Sequence, residues 1–330
     1  MKLLWLLLGV GCGGKITSNS VDTDTETQPS EEPGAEPASE ASSEPSSPSD
    51  EPSSEPSSPT SEPTQEPVEE NVDYSIDGSY SVSSSTGSAS IASCANGMEY
   101  SVFTPSGVSN PPVMILGHGF ARSGSNMHGL AEQYASWGVE VIVPNLCHSS
   151  FWDADHEQNG MDMVELAQQY GAMNVIYAGQ SAGGLAALVA ASQDSNALGV
   201  VGLDATDTND TIGLTYATSV QVPTYALLGE PSSCNSDNNG LSMFELVNDI
   251  NVMRVTSSDH CDYESPTDWM CTTFCLNQSN SFDDAEIAPA IMFLSTAAVM
   301  KIVGTNTSSD AWETEMVDEW TDMGLLNRIR

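Results

Sequence analysis

The chain has 330 residues, and its composition changes sharply near residue 74. Its formal net charge is −39, and most of its 46 acidic residues lie after residue 73, so the folded part is itself acidic. Binding to nucleic acid or to anionic lipid requires basic surface, and both functions are therefore disfavoured. The roughly 255 residues after this boundary suit one α/β domain.

The N-terminus has the pattern of an export signal. Met1 and Lys2 precede the apolar run 3–10, and small residues lead into Cys12. The run is too short to span a bilayer. It resembles a bacterial lipobox, in which the cysteine becomes the lipidated first residue of the mature protein. We therefore predict a signal peptide and anchor over 1–17 and an exported lipoprotein of the cell envelope or surface, in the outer membrane. A soluble secreted protein is the alternative.

Residues 18–73 have the composition of a stalk. They consist mainly of Ser, Pro, Glu and Thr in near-repeats such as Glu-Pro-Ser-Ser, with almost no side chains that can form a core. Such a segment is expected to be disordered. Proline spacing and like-charge repulsion extend it, to about 3 Å per residue at most. We predict a stalk that holds the domain 74–330 away from the membrane.

Within 74–330, short apolar runs alternate with segments of helical length or periodicity. The strand candidates are 100–103, 113–116, 139–143, 174–178, 199–203, 222–228 and 251–255. The helix candidates are 127–137, 161–170, 182–191, 241–247 and 285–302. This alternation predicts a mainly parallel sheet with helices on both faces. The Ser-rich segment 80–91 is expected to add an antiparallel edge strand.

A glycine-rich turn follows the second strand candidate. The run 113–116 leads directly into Gly117-His118-Gly119-Phe120. Serine hydrolases with a parallel sheet take one oxyanion donor from the loop after an early strand, which nominates the N–H group of Phe120. We interpret His118 as a residue that shapes this turn rather than as a catalytic group.

The sequence Gly179-Gln-Ser181-Ala-Gly183 stands between the strand candidate 174–178 and the Ala-rich helix candidate. This is the G-x-S-x-G pattern in the strand–turn–helix context that a nucleophile elbow needs. Larger side chains at Gly179 or Gly183 would clash within so tight a turn. The helix that follows directs its amide dipoles toward a developing oxyanion, which nominates the N–H of Ala182 as the second donor. Ser181 is the predicted nucleophile.

A nucleophilic serine needs a base, and the chain order Ser, acid, His restricts the search to histidines after Ser181. His260 is the one histidine that follows it, in a loop after the strand candidate 251–255. His128, His148 and His156 precede Ser181 and are interpreted as surface or loop residues. The acidic run 153–157 has the composition of a cation site, but a solvated loop is the preferred interpretation.

The acid of the triad has several candidates. Asp204 directly follows the apolar run 199–203, so its carboxylate should emerge at the carboxyl edge of the sheet. Glu230 follows the next strand candidate but precedes Pro231, as a turn residue would. Asp207 and Asp210 share the loop of Asp204 and are expected to be solvated. We prefer Asp204 and keep Glu230, Asp207 and Asp210 as alternatives.

Apart from Cys12 the chain has six cysteines. An even number is expected of an exported chain whose cysteines form disulfides. Their pairing is not derivable, because six cysteines allow fifteen connectivities. A zinc site at Cys271 and Cys275 is the rival interpretation. The candidates for three disulfides are Cys94, Cys147, Cys234, Cys261, Cys271 and Cys275.

Several segments together resemble one branch of the α/β-hydrolases, which contains chlorophyllases, bacterial cutinase-like polyester hydrolases and platelet-activating-factor acetylhydrolases. They are Gly117-His-Gly-Phe120, Gly179-Gln-Ser-Ala-Gly183, Gly202-Leu-Asp204 and Ser258-Asp-His260, and the resemblance covers roughly 95–303. The run 222–229 with Cys234 beyond it is similar to the chlorophyllase-like strand and loop. Gln180 and Ala182 depart from the His or Trp and the Met, Arg or Phe common in these relatives. The resemblance thus implies an α/β-hydrolase fold and an ester hydrolase without naming its ester.

We therefore predict a monomeric serine carboxylic-ester hydrolase that works through an acyl-enzyme and needs no metal or organic cofactor. The interval 204–222 is too short for a large helical lid, so an open site for bulky, polymeric or surface-presented esters is expected, partly covered by 261–275. Apart from the ester substrate, we expect the protein to contact a membrane, and only through its lipid anchor. We expect no binding to nucleic acid. The alternatives are an inactive stalked binding protein on a hydrolase scaffold and an amide or thioester hydrolase with the same triad.

Overall fold

The computed structural model describes residues 72–275, 281–308 and 310–330. The predicted signal peptide, Cys12 and nearly all of the predicted stalk lie outside these residues. The described chain forms a nine-stranded mixed sheet in the order β1-β2-β4-β3-β7-β8-β9-β10-β11, and a separate two-stranded hairpin pairs β5 with β6. The strands are β1 (Val82–Ala89), β2 (Met98–Pro105), β3 (Val113–Gly117), β4 (Glu140–Pro144), β5 (Ser149–Ser150), β6 (Asp153–Ala154), β7 (Val175–Gln180), β8 (Ala197–Leu203), β9 (Thr224–Leu228), β10 (Ile250–Val255) and β11 (Leu326–Arg328).

The six central strands, which are β4, β3, β7, β8, β9 and β10, run parallel to one another. Strands β1, β2 and β11 are antiparallel to their neighbours at the two edges. The helices are α1 (His128–Ser136), α2 (His156–Tyr170), α3 (Ala182–Gln193), α4 (Ile212–Ala217), α5 (Gly240–Phe244), α6 (Trp269–Phe274), α7 (Asp284–Ile302) and α8 (Glu315–Asp322).

A hydrophobic core lies on each face of the sheet. Strand β3 shows the alternation that produces this division, because Met114 and Leu116 belong to one core and Val113 and Ile115 to the other. Side chains of α1, α7 and α8 fill the first core, and those of α2 and α3 fill the second. Strands buried on both faces need apolar side chains at every position, which is why they read as continuous apolar runs. The prediction of a mainly parallel sheet covered on both faces is confirmed.

Every predicted strand overlaps a strand of the sheet, and the predicted edge segment 80–91 contains β1. The helix prediction 241–247 was too long, since α5 ends at Phe244. Helix α2 begins at His156, five residues before the predicted start, and the side chain of Asp155 caps it by accepting from Gln158 N at 3.0 Å. The predictions missed the short elements β5, β6, α4, α6, α8 and β11.

Helix α7 has the length and the apolar composition of a membrane-spanning helix, with a mean hydropathy of 1.5. It is the only such helix among the described residues. However, 61% of the apolar stretch is buried within the fold. Phe293, Leu294 and Val299 of this helix lie in the core beneath the sheet. This packing is that of a core helix.

The six cysteines after Cys12 form three disulfides, which confirms that prediction. The pairs are Cys94–Cys147, Cys234–Cys275 and Cys261–Cys271. Cys94 stands in the β1–β2 connection and Cys147 follows β4, so the first bond joins two loops near one edge of the sheet. Cys271 and Cys275 have different partners, and neither retains the thiolate that a zinc ligand requires.

Removing the disulfide between Cys94 and Cys147 should destabilise the domain. The bond closes a chain separation of 53 residues, and a cross-link of this kind stabilises by restricting the unfolded chain. For the Cys94→Ala/Cys147→Ala variant we expect the free energy of unfolding to fall by about 2–4 kcal/mol. Urea unfolding without reductant measures this. Alkylation of the wild-type protein under the same conditions should modify none of the six cysteines, and several free thiols would contradict the pairing.

Candidate active site

Ser181 lies at the tight turn between β7 and α3. Its backbone has φ 56° and ψ −125°, in a region that residues other than glycine rarely occupy. The turn lifts the serine above the carboxyl edge of the sheet, and the side chain borders a cavity. The strained backbone at this one residue gives the hydroxyl a defined and accessible place.

The turn is so tight that its flanking glycines have no room for a side chain. A Cβ at Gly179 would lie 2.3 Å from the carbonyl of Gly183. A Cβ at Gly183 would lie 2.5 Å from the carbonyl oxygen of Gly117. These distances are below any van der Waals contact, and the obstacles are backbone atoms that cannot move aside. Glycine is therefore required at both positions, for the reason inferred from the sequence.

Asp204 and His260 form a buried pair. Asp204 directly follows β8, and His260 lies in the loop after β10, with His260 Nδ1 at 2.6 Å from Asp204 Oδ2. A carboxylate can only accept here, so Nδ1 carries the proton, and in the neutral imidazole Nε2 presents a lone pair. The side chain of Asp204 is fully buried, and that of His260 is 8% exposed. This arrangement fixes the tautomer that a general base needs.

Two further donors hold the carboxylate of Asp204. Gly229 N donates to Oδ1 at 2.9 Å, and Asn235 Nδ2 lies 3.1 Å from Oδ2. Asn235 also donates to the carbonyl of Glu230. Both oxygens of this buried carboxylate therefore accept hydrogen bonds. Asn235 was not among the predicted site residues, because nothing in its local pattern marks a residue that reaches an aspartate 31 positions away.

The other acid candidates have different partners. Glu230 Oε1 accepts from Ser257 N at 3.2 Å. Asp207 Oδ1 accepts from Thr208 N and from Gly213 N at the start of α4, and burial raises the pKa of Asp207. The expectation that Asp207 is solvated was wrong, since its residue exposure is 9%. Of these candidates, Asp204 is the one that the structure brings to His260.

The predicted oxyanion donors, Phe120 and Ala182, belong to two loops that meet near Ser181, since a Cβ at Gly119 would lie 3.0 Å from the Cβ of Ser181. Ala182 is the first residue of α3, where amide N–H groups lack intrahelical acceptors. Phe120 follows β3 and borders the cavity. Within the described ranges neither backbone N–H has an acceptor. Both are free to donate to an oxygen that enters between the two loops.

His118 supports the loop that carries Phe120. Its Nε2 accepts from Leu146 N at 3.0 Å, so Nδ1 carries the proton and donates to the carbonyl oxygen of Gly119 at 2.9 Å. Burial lowers the pKa of His118 to about 4. A neutral histidine with both nitrogens bonded to backbone shapes the turn and has no nitrogen left for proton transfer.

Three histidines lie away from Asp204. His128 packs against Phe103 and His148 bonds Asp153 at 3.0 Å. His156 was expected to be a surface or loop residue, but it is 3% exposed and stacks edge-on against Phe120. Burial lowers the pKa of His156 to about 4. In the acidic run 153–157, Asp155 caps α2, so this run is not simply a solvated loop.

The cavity beside Ser181 has a volume of about 450 Å³. It is lined mainly by apolar groups, among them Phe120, Phe151, Met270 and Phe274. The segment 261–275 covers part of it, and two disulfides hold that segment: Cys261–Cys271 within it and Cys234–Cys275 at its end. The chain between Asp204 and Val222 contributes the six-residue helix α4. The site is therefore covered partly and by a fixed segment.

A buried ion pair links this segment to the loop after β3. Arg122 Nε donates to Glu264 Oε1 at 2.6 Å, and its Nη1 lies 3.0 Å from Asp268 Oδ1. The side chains of Arg122 and Glu264 are 8% and 1% exposed. Because the guanidinium bonds two carboxylates, its charge is compensated within the protein. Arg122 thus fixes the covering segment relative to Phe120 and offers little free charge to a ligand.

No protein-family model matches this chain, and no curated protein matches it.

Asp262, two residues after His260, should make stability depend on pH. Burial, together with the charges of Asp259, Asp284 and Asp204, raises the pKa of Asp262 from 3.8 to about 7. Between these values the folded protein holds a proton that the unfolded chain has released. The stabilisation that this proton provides is fully present below pH 3.8 and is lost as the pH rises through about 7, the pKa of Asp262 in the folded protein.

We expect Asp262→Asn to remove that pH dependence. Its amide oxygen can still accept from Asp259 N, as Asp262 Oδ2 does at 2.6 Å. The variant should match the wild type in Tm near pH 4 and exceed it at pH 8. Thermal unfolding at both pH values measures the difference. Parallel Tm curves for the two proteins would show that Asp262 is ionised in the folded state throughout.

Proposed function

We propose that this protein is a serine carboxylic-ester hydrolase of the α/β-hydrolase fold. The observation that carries the proposal is the 2.6 Å bond between Asp204 and His260 at the cavity that Ser181 borders. The parallel sheet order, the backbone of Ser181 and the chain order of the three residues all support it. The proposed roles are nucleophile for Ser181, base for His260 and orienting acid for Asp204.

In the proposed reaction, Ser181 Oγ attacks the ester carbonyl while His260 Nε2 takes the serine proton. The N–H groups of Phe120 and Ala182 stabilise the oxyanion of the tetrahedral intermediate. Collapse of this intermediate breaks the bond to the alcohol oxygen, which takes the proton from His260 and leaves. Water then attacks the acyl-enzyme by the same path, with His260 again as base, and releases the acid.

Exposed aromatic side chains support a bulky, polymeric or surface-presented ester. Phe151 and Phe274 border the cavity and are still 53% and 50% exposed. Trp152 in the β5–β6 hairpin is 97% exposed, and Trp269 at the start of α6 is 74% exposed. Exposed apolar groups that lie together often mark a binding surface. An apolar substrate larger than the cavity would cover them.

Hydrolysis of p-nitrophenyl esters tests the proposal. Wild-type protein should release p-nitrophenol. If deacylation is the slow step, the release should begin with a burst whose amplitude equals the enzyme concentration, and if it is not, the release should be linear from the start. An apolar cavity should favour butyrate or hexanoate over acetate in kcat/KM. Anilide and thioester analogues with the same acyl groups decide among the hydrolase classes. Absence of turnover on all three, with the acyl groups still bound, would favour a binding protein on a hydrolase scaffold.

We further propose that Cys12 carries a lipid anchor, so that the stalk and domain are displayed from a membrane. Support comes from the short apolar run before Cys12 and the Ser/Pro/Glu-rich segment after it. Cys12→Ala should shift the protein from the membrane fraction to the soluble exported fraction. A variant that stays with membranes after a high-salt wash would contradict the anchor.

A further inference from the structure

Gln180, the last residue of β7, contacts the nitrogen of the proposed base that faces away from Asp204. Its side chain lies between Ser181 and the loop of His260, borders the cavity and is 1% exposed. Gln180 Nε2 lies 3.1 Å from His260 Nε2 and 3.2 Å from the backbone carbonyl oxygen of the same histidine. One amide group therefore holds His260 at two points.

The orientation of this amide follows from its neighbours. The carbonyl oxygen of His260 can only accept, so the group facing it must be the NH₂ of Gln180. Asp204 holds the proton on His260 Nδ1, so Nε2 is also an acceptor. A reversed amide would place oxygen against two acceptors. Gln180 thus donates to both, and its Oε1 points toward Gly119, where a Cβ would lie 2.4 Å from that oxygen.

The lone pair on His260 Nε2 is the one that the proposed mechanism needs. An imidazole nitrogen has a single lone pair in the ring plane, so a donor from Gln180 excludes the hydroxyl of Ser181 from it. Consistent with this, Ser181 Oγ lies 3.5 Å from Thr206 Oγ1 and makes no hydrogen bond to His260 within the described ranges.

We propose that Gln180 is a positioning residue that competes with Ser181 for the lone pair of His260 and must leave it before proton transfer. This inference rests on the proposed function. Among the residues that the structure describes, Gln180 Oε1 is buried and has no hydrogen-bond partner. An unsatisfied oxygen of this kind weakens the position in which the amide is held. The carbonyl of an ester entering the cavity supplies an acceptor for the released N–H groups, so substrate entry and release of the base are coupled.

The rate of covalent labelling by a fluorophosphonate ester tests this competition. Methionine has nearly the shape of glutamine but no donor, so Gln180→Met should increase the rate constant about 2- to 10-fold, the effect of losing one competing hydrogen bond. Gln180→Leu tests the same loss with a different shape. Gln133→Met is the matched control, because Gln133 is also buried and donates to two backbone carbonyls, those of Tyr74 and Ile76. Its labelling rate should equal that of the wild type.

The ¹⁵N resonance of His260 Nε2 gives a readout that a purely structural role would not move. In the Ser181→Ala background at alkaline pH, the remaining donor to this nitrogen is Gln180. Adding Gln180→Met should move the resonance to higher frequency, toward that of a free pyridine-type nitrogen. The other histidine resonances should stay in place.

The outcomes separate the two proposals. Faster labelling of Gln180→Met together with the ¹⁵N shift supports the competition. Equal or slower labelling, or an unmoved resonance, overturns it while leaving the serine hydrolase intact. Failure of every variant and of the wild type to label contradicts the proposed function, and the inference falls with it.

Discussion

Ser181→Ala should lower the rate of ester hydrolysis by at least about 10³-fold, because alanine lacks the hydroxyl that forms the proposed acyl-enzyme. Among the described residues, the hydroxyl of Ser181 makes one hydrogen bond, a long one of 3.5 Å to Thr206 Oγ1. Alanine is smaller than serine, so folding should be unaffected. Turnover of p-nitrophenyl butyrate and a thermal unfolding curve for both proteins measure the two statements.

Ser192→Ala is the matched control for this variant. Ser192 lies in the same helix, α3, and its hydroxyl donates to the carbonyl oxygen of Val189. Loss of that hydroxyl should leave kcat within about twofold, since it does not border the cavity. If Ser181→Ala kept activity within tenfold of wild type, the nucleophile would have to be another residue.

Asp204→Asn should lower kcat by about 10³- to 10⁴-fold with little change in folding. The carboxylate holds the proton on His260 Nδ1 and stabilises the imidazolium that forms during attack. An asparagine can present its NH₂ to Nδ1, which favours the tautomer with the proton on Nε2 and removes the base. Its amide oxygen can still accept from Gly229 N, so the local structure has a reason to persist.

Glu230→Gln serves as the control for the acid. Glutamine keeps an oxygen that can accept from Ser257 N, so kcat should change by less than about threefold. Steady-state kinetics of both variants on the same ester decide the assignment. A large loss in Glu230→Gln with a small one in Asp204→Asn would place the acid after β9 instead of after β8.

The sheet could be predicted because its strands are buried on both faces. Runs such as 113–116 and 199–203 are apolar at consecutive positions, and such runs mark central parallel strands without reference to distant residues. Strand β11 is different. It has three residues, and it exists because Leu326 and its neighbours pair with β10 some seventy positions earlier in the chain. No local pattern carries that information.

The start of helix α2 is marked by a capping residue and not by apolar periodicity. Its first turn contains His156, Glu157 and Gln158 and lacks apolar periodicity, so the helix was predicted to start later. Asp155 is a favourable capping residue, and its side chain accepts from Gln158 N. The capping pattern gives the start of this helix better than the hydrophobic pattern does.

The geometry of the candidate site was predictable only in part. The G-x-S-x-G turn and the place of Asp204 follow from short segments whose physical demands are local. The pairing of cysteines, the reach of Asn235 to Asp204 and the contact of Gln180 with His260 join residues 10 to 80 positions apart. These contacts depend on how the loops above the sheet pack, which a single sequence leaves open.

Mapping of fluorophosphonate labelling tests the central claim most directly. The native protein should gain one covalent adduct, and peptide mass spectrometry should locate it on Ser181. Heat-denatured protein and the His260→Gln variant should remain unlabelled, because the serine is reactive only while the folded site supplies its base. A native protein that gains no adduct, or an adduct on a residue other than Ser181, would contradict the assignment of this site as a serine hydrolase.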